Sequence, residues 1–221
     1  LSLLKNFSNI NGNLVIKEGD EILTISDKKN IMAHSKVDES FDQSFGIYDL
    51  NEFLGAYSLI EDPTLNFDEE SVTISSGVSS IIYRFSDPSI LTSPERTIGL
   101  PSVDVNLKMT HNMIEKVRRA GSVLGAPVLS ITNKDTSGNG SGIIRIRVFD
   151  PSNPTANVYE IEVGDIDDSS SFDFQFLIEN IKVIPDDYDL KISSKKISEW
   201  DGINNKVKYW IALEKDSSYA S

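Results

Sequence analysis

The stretch Asp49-Leu-Asn-Glu-Phe-Leu-Gly-Ala-Tyr-Ser-Leu-Ile-Glu61 carries the clearest helical pattern in the chain. Its apolar residues recur at i, i+3, i+4 and i+7, which is the spacing of a helix with one buried face. These residues are Leu50, Phe53, Leu54 and Tyr57. Asp49 is a suitable N-cap with Glu52 as its capping-box partner, and Pro63 stops the helix. The pattern therefore predicts a helix over residues 49–61.

Two helices with less regular patterns are predicted nearer the chain ends. Over residues 1–9 the apolar residues share one face, and Lys5 lies on the opposite side. Over residues 174–183 the apolar positions also fit a helix, which Pro185 stops. The run Phe172-Asp-Phe-Gln-Phe176 overlaps its start and alternates like a strand, so this helix has a competing interpretation.

A further helix is predicted over residues 110–123, and this one carries positive charge. Its apolar stripe consists of Met113, Val117 and Ala120, with Thr110 as N-cap and Gly121 and Gly125 at its end. Its other side carries Asn112, Lys116, Arg118 and Arg119. Taken alone, this pattern is more typical of an ordinary solvated face than of a binding site. If such helices line a hole, however, the same cations meet phosphates without reading bases.

Most of the remaining chain alternates apolar and polar residues, as half-buried antiparallel strands do. The clearest example is Ile143-Ile-Arg-Ile-Arg-Val-Phe149. Strands are predicted over residues 14–17, 22–26, 71–76, 78–85, 128–133, 143–149, 158–163, 188–193 and 207–213. Turn signals such as Ser137-Gly-Asn-Gly140 and Pro151-Ser-Asn-Pro154 separate them.

The order of helices and strands repeats along the chain, which predicts two similar halves. Thr73-Ile-Ser-Ser76 and Lys191-Ile-Ser-Ser194 are a faint sequence echo of this repeat, although chance accounts for it equally well. Prolines concentrate in residues 87–101, which predicts a stiff connector. The predicted division is a first domain over residues 1–86, this connector, and a second domain over residues 102–221.

The composition excludes several classes of protein. The chain has 221 residues, a net charge of -13 and no cysteine, so disulfides, thiolate metal sites and cysteine nucleophiles are impossible. So acidic a chain is not expected to grip DNA by overall phosphate neutralisation, and any DNA role must be local or topological. No apolar stretch reaches the roughly 20 residues that cross a bilayer, and no signal peptide is visible, so no membrane association is expected.

No motif for catalysis or metal binding stands out. His34 and His111 have no ligand spacing, and neither a phosphate-binding loop nor a nucleophile elbow occurs. Acidic clusters such as Asp165-Ile-Asp-Asp168 do not follow the spacing of a calcium loop and fit solvated turns better. We expect no enzymatic activity, no cofactor and no metal.

Several short segments resemble one family. Ile47-Tyr-Asp-Leu-Asn-Glu-Phe-Leu-Gly55 resembles the second helix of the sliding clamps of T-even-like tailed phages. Ser86-Asp-Pro-Ser89 is similar to that family's interdomain connector, and Leu3-Leu-Lys-Asn-Phe7 is similar to its first helix. Phe172-Asp-Phe174 falls in its fourth-helix region, and Ala212-Leu-Glu-Lys-Asp-Ser217 resembles its C-terminus. These matches lie in order over nearly the whole chain.

The resemblance implies an α+β fold of the DNA-clamp type with two similar helix–sheet domains per chain. Three chains would join head to tail into a homotrimeric, six-domain ring with helices lining the hole. The ring would encircle duplex DNA and tether the replicative phage DNA polymerase, which gives processivity without catalysis. An ATP-driven clamp loader complex would place it on DNA. The resemblance further implies a role in late transcription and, for a viral protein, a location in the host cytoplasm.

The resemblance also implies two sets of site residues. The DNA-facing set comprises cations on or near the first, third and fourth helices, namely Lys5, Lys108, Lys116, Arg118, Arg119 and Lys182. The second helix departs from the expected pattern, because Glu52, Gly55, Ala56 and Ser58 on its polar side include no cation. A pocket for a partner's hydrophobic C-terminal peptide is implied at Ile90, Leu91, Ile98, Leu100, Pro101, Ile211, Ala212 and Leu213. Several of these residues would equally well seal the joint between domains.

Two other kinds of protein compete with the clamp. An acidic, β-rich, oligomeric phage structural protein fits the composition, but it gives no reason for the connector and the C-terminus to match together. A calcium- or sugar-binding β-rich module fits the Asp and Asn content and predicts stabilisation by calcium. Both gain if the helix over residues 110–123 is buried on all sides.

Overall fold

The computed structural model describes residues 1–135, 140–166 and 170–220. Residues 137–139 of the predicted turn at residues 137–140, and Asp167 and Asp168 of the acidic cluster at residues 165–168, therefore lie outside the described residues. The chain divides into two compact units, Leu1–Ile98 and Gly99–Ser221. This division falls within residues 87–101, while the domain boundaries given above stay predictions.

The first unit contains two α-helices and seven strands in its described residues. In chain order these are α1 (Ser2–Ile10), β1 (Leu14–Ile16), β2 (Gly19–Ile25), β3 (Ile31–Phe41), β4 (Phe45–Ile47), α2 (Leu50–Ser58), β5 (Thr64–Phe67), β6 (Ser71–Ser76) and β7 (Ser79–Arg84), followed by a 3₁₀ helix at Pro88–Ile90. The strands form two antiparallel sheets, in the orders β4-β1-β2-β3 and β5-β6-β7. The two helices contact each other, α1 also contacts β2 and β3, and α2 contacts β7.

The predicted start of α2 is confirmed in atomic detail. The Asp49 carboxylate accepts hydrogen bonds from the backbone N–H groups of Asn51 and Glu52, at 2.9 and 3.0 Å. Leu50 and Phe53 are buried, as the apolar stripe predicts. The helix ends at Ser58, before the predicted Glu61.

The second unit contains one α-helix and nine strands in its described residues. In chain order these are β8 (Val105–Met109), α3 (His111–Leu124), β9 (Val128–Lys134), β10 (Gly140–Phe149), β11 (Tyr159–Asp165), β12 (Ser171–Leu177), a 3₁₀ helix at Ile178–Asn180, β13 (Tyr188–Ser193), β14 (Ile197–Gly202), β15 (Val207–Ala212) and β16 (Ser218–Ala220). The antiparallel sheets have the orders β11-β10-β9-β12-β16 and β15-β14-β13-β8. Helix α3 contacts β10 and the 3₁₀ helix.

The two units repeat one topology. The elements α1, β1–β4, α2 and β5–β7 correspond in order to α3, β9–β12, the 3₁₀ helix at Ile178–Asn180 and β13–β15. The sheet orders correspond as well, because β4-β1-β2-β3 matches β12-β9-β10-β11 and β5-β6-β7 matches β13-β14-β15. The predicted internal repeat is confirmed, but the sequence echo proposed for it is wrong. Residues 73–76 lie in β6 and residues 191–193 lie at the end of β13, and these two strands do not correspond.

The helix predicted over residues 174–183 is wrong. That region instead holds β12, which pairs with β9 and β16, and the short 3₁₀ helix. Phe172, Phe174 and Phe176 are all buried at a spacing of two, so the strand alternation prevails over the helical spacing. In addition, six strands were not predicted, namely β3, β4, β5, β8, β14 and β16. Among them, β3 is the longest strand of the first unit. Every predicted strand is present, with ends displaced by a few residues. Among the described residues, no helix has the length and apolar character needed to span a bilayer.

Candidate nucleic-acid interface

Helix α3 turns a slightly different face to the core than its sequence indicates. Ile114, Val117 and Gly121 are buried, whereas Met113 and Ala120 are only half-buried, so the predicted stripe is wrong by about one position. The reason lies at Gly121, where an added Cβ would stand 2.8 Å from Ile178 Cδ1 and 3.0 Å from the carbonyl oxygen of Ala126. A glycine inside the helix lets the neighbouring segment approach closely, and a pattern of apolar side chains does not reveal that contact.

The outward face of α3 carries cations. Asn112, Lys116 and Arg119 are exposed and lie at i, i+4 and i+7 on one side of the helix. Neither Lys116 nor Arg119 makes an ion pair within the part of the chain that the structure describes. The helix is therefore not buried on all sides, which removes the observation that would have favoured the competing kinds of protein. Thr110 caps its start by accepting from the Met113 N–H, and Gly125 ends it in the left-handed conformation with φ 63°.

Arg118 has a different role from its two cationic neighbours. Its guanidinium donates to the carbonyl oxygens of Ile181 and Val183, at 2.8 and 3.1 Å, and to Glu115 at 2.9 Å. The side chain is about one-third exposed. Arg118 therefore fixes α3 to the segment between the 3₁₀ helix and β13. Its two carbonyl partners, Ile181 and Val183, are 63 and 65 positions away in the sequence, so local spacing does not reveal these contacts.

In the first unit, Lys5 is exposed on α1, opposite the buried Phe7 and Ile10. Ser2 and Asn9 lie on the same exposed face as Lys5. Their positions, three residues before and four residues after Lys5, could have indicated this from the sequence. On α2, the residues Glu52, Gly55 and Ser58 are exposed and Ala56 is half-buried. Helix α1 thus presents a cation outward and α2 presents none.

The other two predicted DNA-facing cations lie beside α3 rather than on it. Lys108 is in β8, and its Nζ lies 3.5 Å from the Asp187 carboxylate, which also accepts from the backbone N–H of His111 at 2.8 Å. Lys182 is half-buried in the segment that follows the 3₁₀ helix. Lys108 thus lies on the strand before α3, and Lys182 lies on no helix because the predicted fourth helix is absent.

A hydrogen-bonded cluster holds that segment in place. The Tyr188 hydroxyl donates to the Ile184 carbonyl oxygen at 2.6 Å, and the Ile184 N–H donates to the Tyr209 hydroxyl at 3.2 Å. Burial raises the pKa of Tyr188 to about 12 and raises the pKa of Tyr209 further, so both phenols stay protonated. Arg118 and these tyrosines therefore attach the segment to α3 and to the sheet by hydrogen bonds.

The residues predicted for a peptide pocket are divided between the two units. Ile90, Leu91 and Ile98 belong to the first unit, where Ile90 is 68% exposed in the 3₁₀ helix and Leu91 packs against Gly46. The second unit contains Leu100, Pro101, Ile211, Ala212 and Leu213. Ile211 and Leu213 are buried on or next to β15, so they contribute to packing in this chain. The pocket stays a prediction.

The described residues contain no group of three or more His, Asp or Glu side chains placed to hold a metal ion. The acidic side chains with lowered pKa have structural partners instead. A backbone hydrogen bond from Ser194 lowers the pKa of Asp104, with Ser102 also donating to that carboxylate. This carboxylate therefore joins the start of the second unit to the end of β13.

Comparisons with known proteins agree on one family. A family model described as gp45 sliding clamp, C terminal, matches residues 105–215. The sliding clamp of Vibrio phage KVP40 is 26% identical over 97% of this chain and 96% of its own length. The sliding clamp of Enterobacteria phage T4 is 27% identical over 99% of this chain and 96% of its own length.

Solved structures show the same fold at low sequence identity. The A. fulgidus PCNA bound to the C-terminal region of FEN-1 has a TM-score of 0.71 and 11% identity, covering 98% of this chain and 95% of that chain. The Entamoeba histolytica proliferating cellular nuclear antigen has a TM-score of 0.62 and 12% identity, covering 96% and 93%. The Helicobacter pylori beta clamp has a TM-score of 0.66 and 9% identity, but this chain covers only 63% of it. The two repeated helix–sheet units and these matches lead to one conclusion: the chain belongs to the gp45 sliding-clamp family of tailed phages, and it is a non-enzymatic DNA replication processivity factor.

Proposed function

We propose that three copies of this chain close head to tail into a ring around duplex DNA and tether the phage DNA polymerase to its template. In this proposal, Lys5 on α1 and the Lys116 and Arg119 pair on α3 face the duplex. Lys108, Arg118 and Lys182 contribute less, because Lys108 and Arg118 have partners within the chain and Lys182 is half-buried.

The observation that carries the proposal is the contrast between the net charge and the helix faces. A chain with a net charge of -13 repels DNA over most of its surface. The exposed faces of α1 and α3 are exceptions that present cations without ion pairs among the described residues. Encirclement needs only weak, sequence-independent phosphate contacts, because topology and not affinity provides persistence. A few inward cations therefore suffice.

Ring formation requires a heterologous contact between copies. The repeat leaves edge strands in each unit, among them β7 in the first and β11 in the second. Exposed apolar side chains lie on or next to both strands, with Ile82 62% exposed on β7 and Val158 47% exposed just before β11. An edge strand of one copy can pair with an edge strand of the next, so these strands are candidates for the subunit contact.

The remaining partners follow from the same proposal. A hydrophobic C-terminal peptide of the polymerase docks at the predicted pocket around Ile90, Leu91 and Ile98, where the exposed Ile90 is a suitable apolar anchor. An ATP-driven clamp loader opens and places the ring in the host cytoplasm. A late-transcription role would use the same encircled DNA, and in vitro late transcription with and without the clamp tests it separately.

Charge reversal on α3 tests the lining. The double variant Lys116→Glu/Arg119→Glu is compared with Lys28→Glu/Lys29→Glu, which changes the net charge equally at the exposed turn between β2 and β3. The assay is primer extension on a singly primed circular template with the phage polymerase, clamp loader and ATP. We expect the α3 variant to shorten the products and to be retained on circular DNA about tenfold less, since it loses phosphate contacts. Products of wild-type length from the α3 variant would contradict the lining assignment.

The ring itself is tested by light scattering after size exclusion over a concentration series. A species near three times 24.5 kDa supports the trimer. The trimer would be contradicted by two results together: a monomer at every concentration in solution, and only monomers after chemical crosslinking of the clamp loaded on circular DNA.

A further inference from the structure

The part of the connector that belongs to the first unit is attached to that unit at one end and free at the other. The 3₁₀ helix at Pro88–Ile90 lies beside β4, and Leu91 packs on Gly46, where an added Cβ would stand 2.6 Å from Leu91 Cδ1. Pro94 is buried, but the residues at 95–98 are exposed. The connector therefore has an attached part, up to residue 95, and a free part that follows it.

Two side chains of the first unit hold the attached part by hydrogen bonds. Lys17, which directly follows β1, donates from Nζ to the carbonyl oxygens of Pro94 and Glu95, at 2.9 and 3.2 Å. Asn11 donates from Nδ2 to the carbonyl oxygen of Thr92 at 3.3 Å. Among the described residues, no backbone–backbone hydrogen bond joins the stretch from Thr92 to Glu95 to another element. Lys17 therefore supplies the larger part of this attachment.

Lys17 is the member of this pair whose contacts are confined to the connector. Asn11 also donates to the Ile25 carbonyl oxygen at 2.9 Å and accepts from the Asn13 N–H at 3.0 Å, so it holds the end of α1 as well. Lys17 forms no ion pair within the part of the chain that the structure describes, although Asp and Glu outnumber Lys and Arg by 34 to 21. Its ammonium group serves the connector carbonyls instead of a carboxylate.

Two cations of the second unit hold other connecting segments in the same way. Arg118 donates to two carbonyl oxygens in the segment before β13. Lys196 donates from Nζ to the carbonyl oxygens of Lys215 and Ser217, in the segment before β16. A charged donor with two carbonyl partners makes strong hydrogen bonds to a segment that has no strand partner of its own. Lys17 does this for the connector.

The attachment by Lys17 bears on two exposed apolar residues of the connector. Ile90 is 68% exposed just before the attached stretch, and Ile98 is 43% exposed just after it. A loop that is free in solution loses conformational entropy when a partner orders it, and this loss weakens binding. The apparent dissociation constant equals the intrinsic constant divided by the fraction of molecules in the binding conformation. A side chain that holds the loop beforehand therefore strengthens docking without touching the partner.

We propose that Lys17 is a latch that holds the connector in the conformation that receives a partner's apolar peptide. Lys17 is thus a positioning residue for the peptide and not one of its contacts. This inference rests on the proposed docking of the polymerase peptide around Ile90, Leu91 and Ile98. Loss of the latch frees the stretch before Arg96, lowers the fraction of molecules in the binding conformation and weakens peptide binding in proportion.

Cleavage of the chain after Arg96 by an arginine-specific protease measures release of the connector. The protease binds an extended stretch on both sides of the bond that it cuts, so Pro94 and Glu95 must leave Lys17 before cleavage. When opening and closing are fast, the cleavage rate follows the population of the open form. We expect Lys17→Met to be cut after Arg96 about tenfold faster than wild type, as judged by mass spectrometry of the fragments.

Fluorescence anisotropy of a fluorescein-labelled C-terminal peptide of the phage DNA polymerase measures docking. We expect Lys17→Met to raise the dissociation constant about tenfold. Lys17→Arg should restore both slow cleavage and tight binding, since a guanidinium group also donates to two carbonyl oxygens, as Arg118 does. Lys28→Met is the matched control, because it removes the same charge from the exposed turn between β2 and β3. Circular dichroism checks that every variant folds.

Three results would overturn the proposal. The first is cleavage of Lys17→Met after Arg96 at the wild-type rate. The second is faster cleavage with unchanged peptide affinity, which would mean that the held conformation does not matter for docking. The third is an equal effect of Lys17→Met and Lys28→Met, which would mean that charge alone acts.

Failure of the underlying docking would have a different signature. A wild-type chain that binds no peptide would refute the proposed docking, and with it the positioning role of Lys17. The cleavage rates need no peptide, so they would still decide whether Lys17 holds the connector.

Discussion

Replacing Arg118 with Met tests whether this arginine holds the fold or faces DNA. The change keeps most of the aliphatic stem and removes the guanidinium. Two hydrogen bonds to the carbonyl oxygens of Ile181 and Val183 are lost, together with the ion pair to Glu115. Hydrogen bonds from charged groups contribute about 1.5–3 kcal/mol each, and a helical ion pair adds about 0.2–0.5 kcal/mol.

The expected loss is smaller than the sum of these figures. Because the side chain is about one-third exposed, water molecules can replace part of the hydrogen bonding that the guanidinium provides to the two carbonyl oxygens. We therefore expect Arg118→Met to lower the free energy of unfolding by about 2 kcal/mol. Its urea midpoint should fall by about 1 M, since slopes for domains of this size are about 1–3 kcal/mol per molar urea.

Arg119→Met is the matched control, because Arg119 is exposed and has no ion pair among the described residues. It should change stability by less than about 0.5 kcal/mol but weaken retention on circular DNA. Urea unfolding followed by tryptophan fluorescence measures the first property, and the amount of loaded clamp that stays on circular DNA measures the second. Equal stabilities of the two variants, or a DNA defect confined to Arg118→Met, would refute the structural role assigned to Arg118.

Further predictions concern packing and titration. Gly121→Ala should destabilise the chain by about 1–3 kcal/mol, because the added Cβ meets Ile178. Gly55→Ala, at an open position of α2, should be neutral or stabilising by up to about 1 kcal/mol. Thermal unfolding of the two variants compares these effects. Burial works to raise the pKa of Asp186, but hydrogen bonds from the turn after β14 outweigh it and hold that pKa below its ordinary value. Its stabilising contribution is thus complete above the unfolded pKa of about 3.9 and is lost as pH falls through the lower folded value, so Asp186→Asn should flatten the acid limb of a stability–pH curve. Because burial raises the pKa of Tyr188 to about 12, Tyr188→Phe should leave the ultraviolet phenolate titration unchanged below pH ~11; a lost titrating group there would contradict its burial.

Elements whose signals lie within a few residues were predictable. Asp49 caps α2 and Thr110 caps α3 at the expected positions, because capping joins groups only two or three residues apart. The clearest strand, at residues 143–149, lies inside β10 for the same reason, since a half-buried strand has its own period of two. The acidic net charge and the absence of cysteine also depend on composition alone.

The prediction of a fourth helix failed because a helical period and a strand period of apolar residues overlap in one segment. Residues 174–183 fit a helical stripe, but the alternation of Phe172, Phe174 and Phe176 matched the register that β9 offers from about forty positions away. Pairing with β9 and β16 satisfies the backbone and buries all three rings, and no local rule measures that gain. The prediction of which face of α3 is buried was also inexact, because Gly121 approaches Ile178 more closely than any side-chain pattern indicates.

For the candidate site, the sequence by itself determined the cations available on an acidic chain and the order of segments that resembles a sliding clamp. Only the tertiary structure decided how those cations are used. Lys116 and Arg119 stay exposed, whereas Arg118, one position away from Arg119, is committed to carbonyl groups more than sixty residues distant. Local spacing sets which side of a helix a residue occupies, but long-range contacts decide whether its charge is paired within the chain or left for a partner.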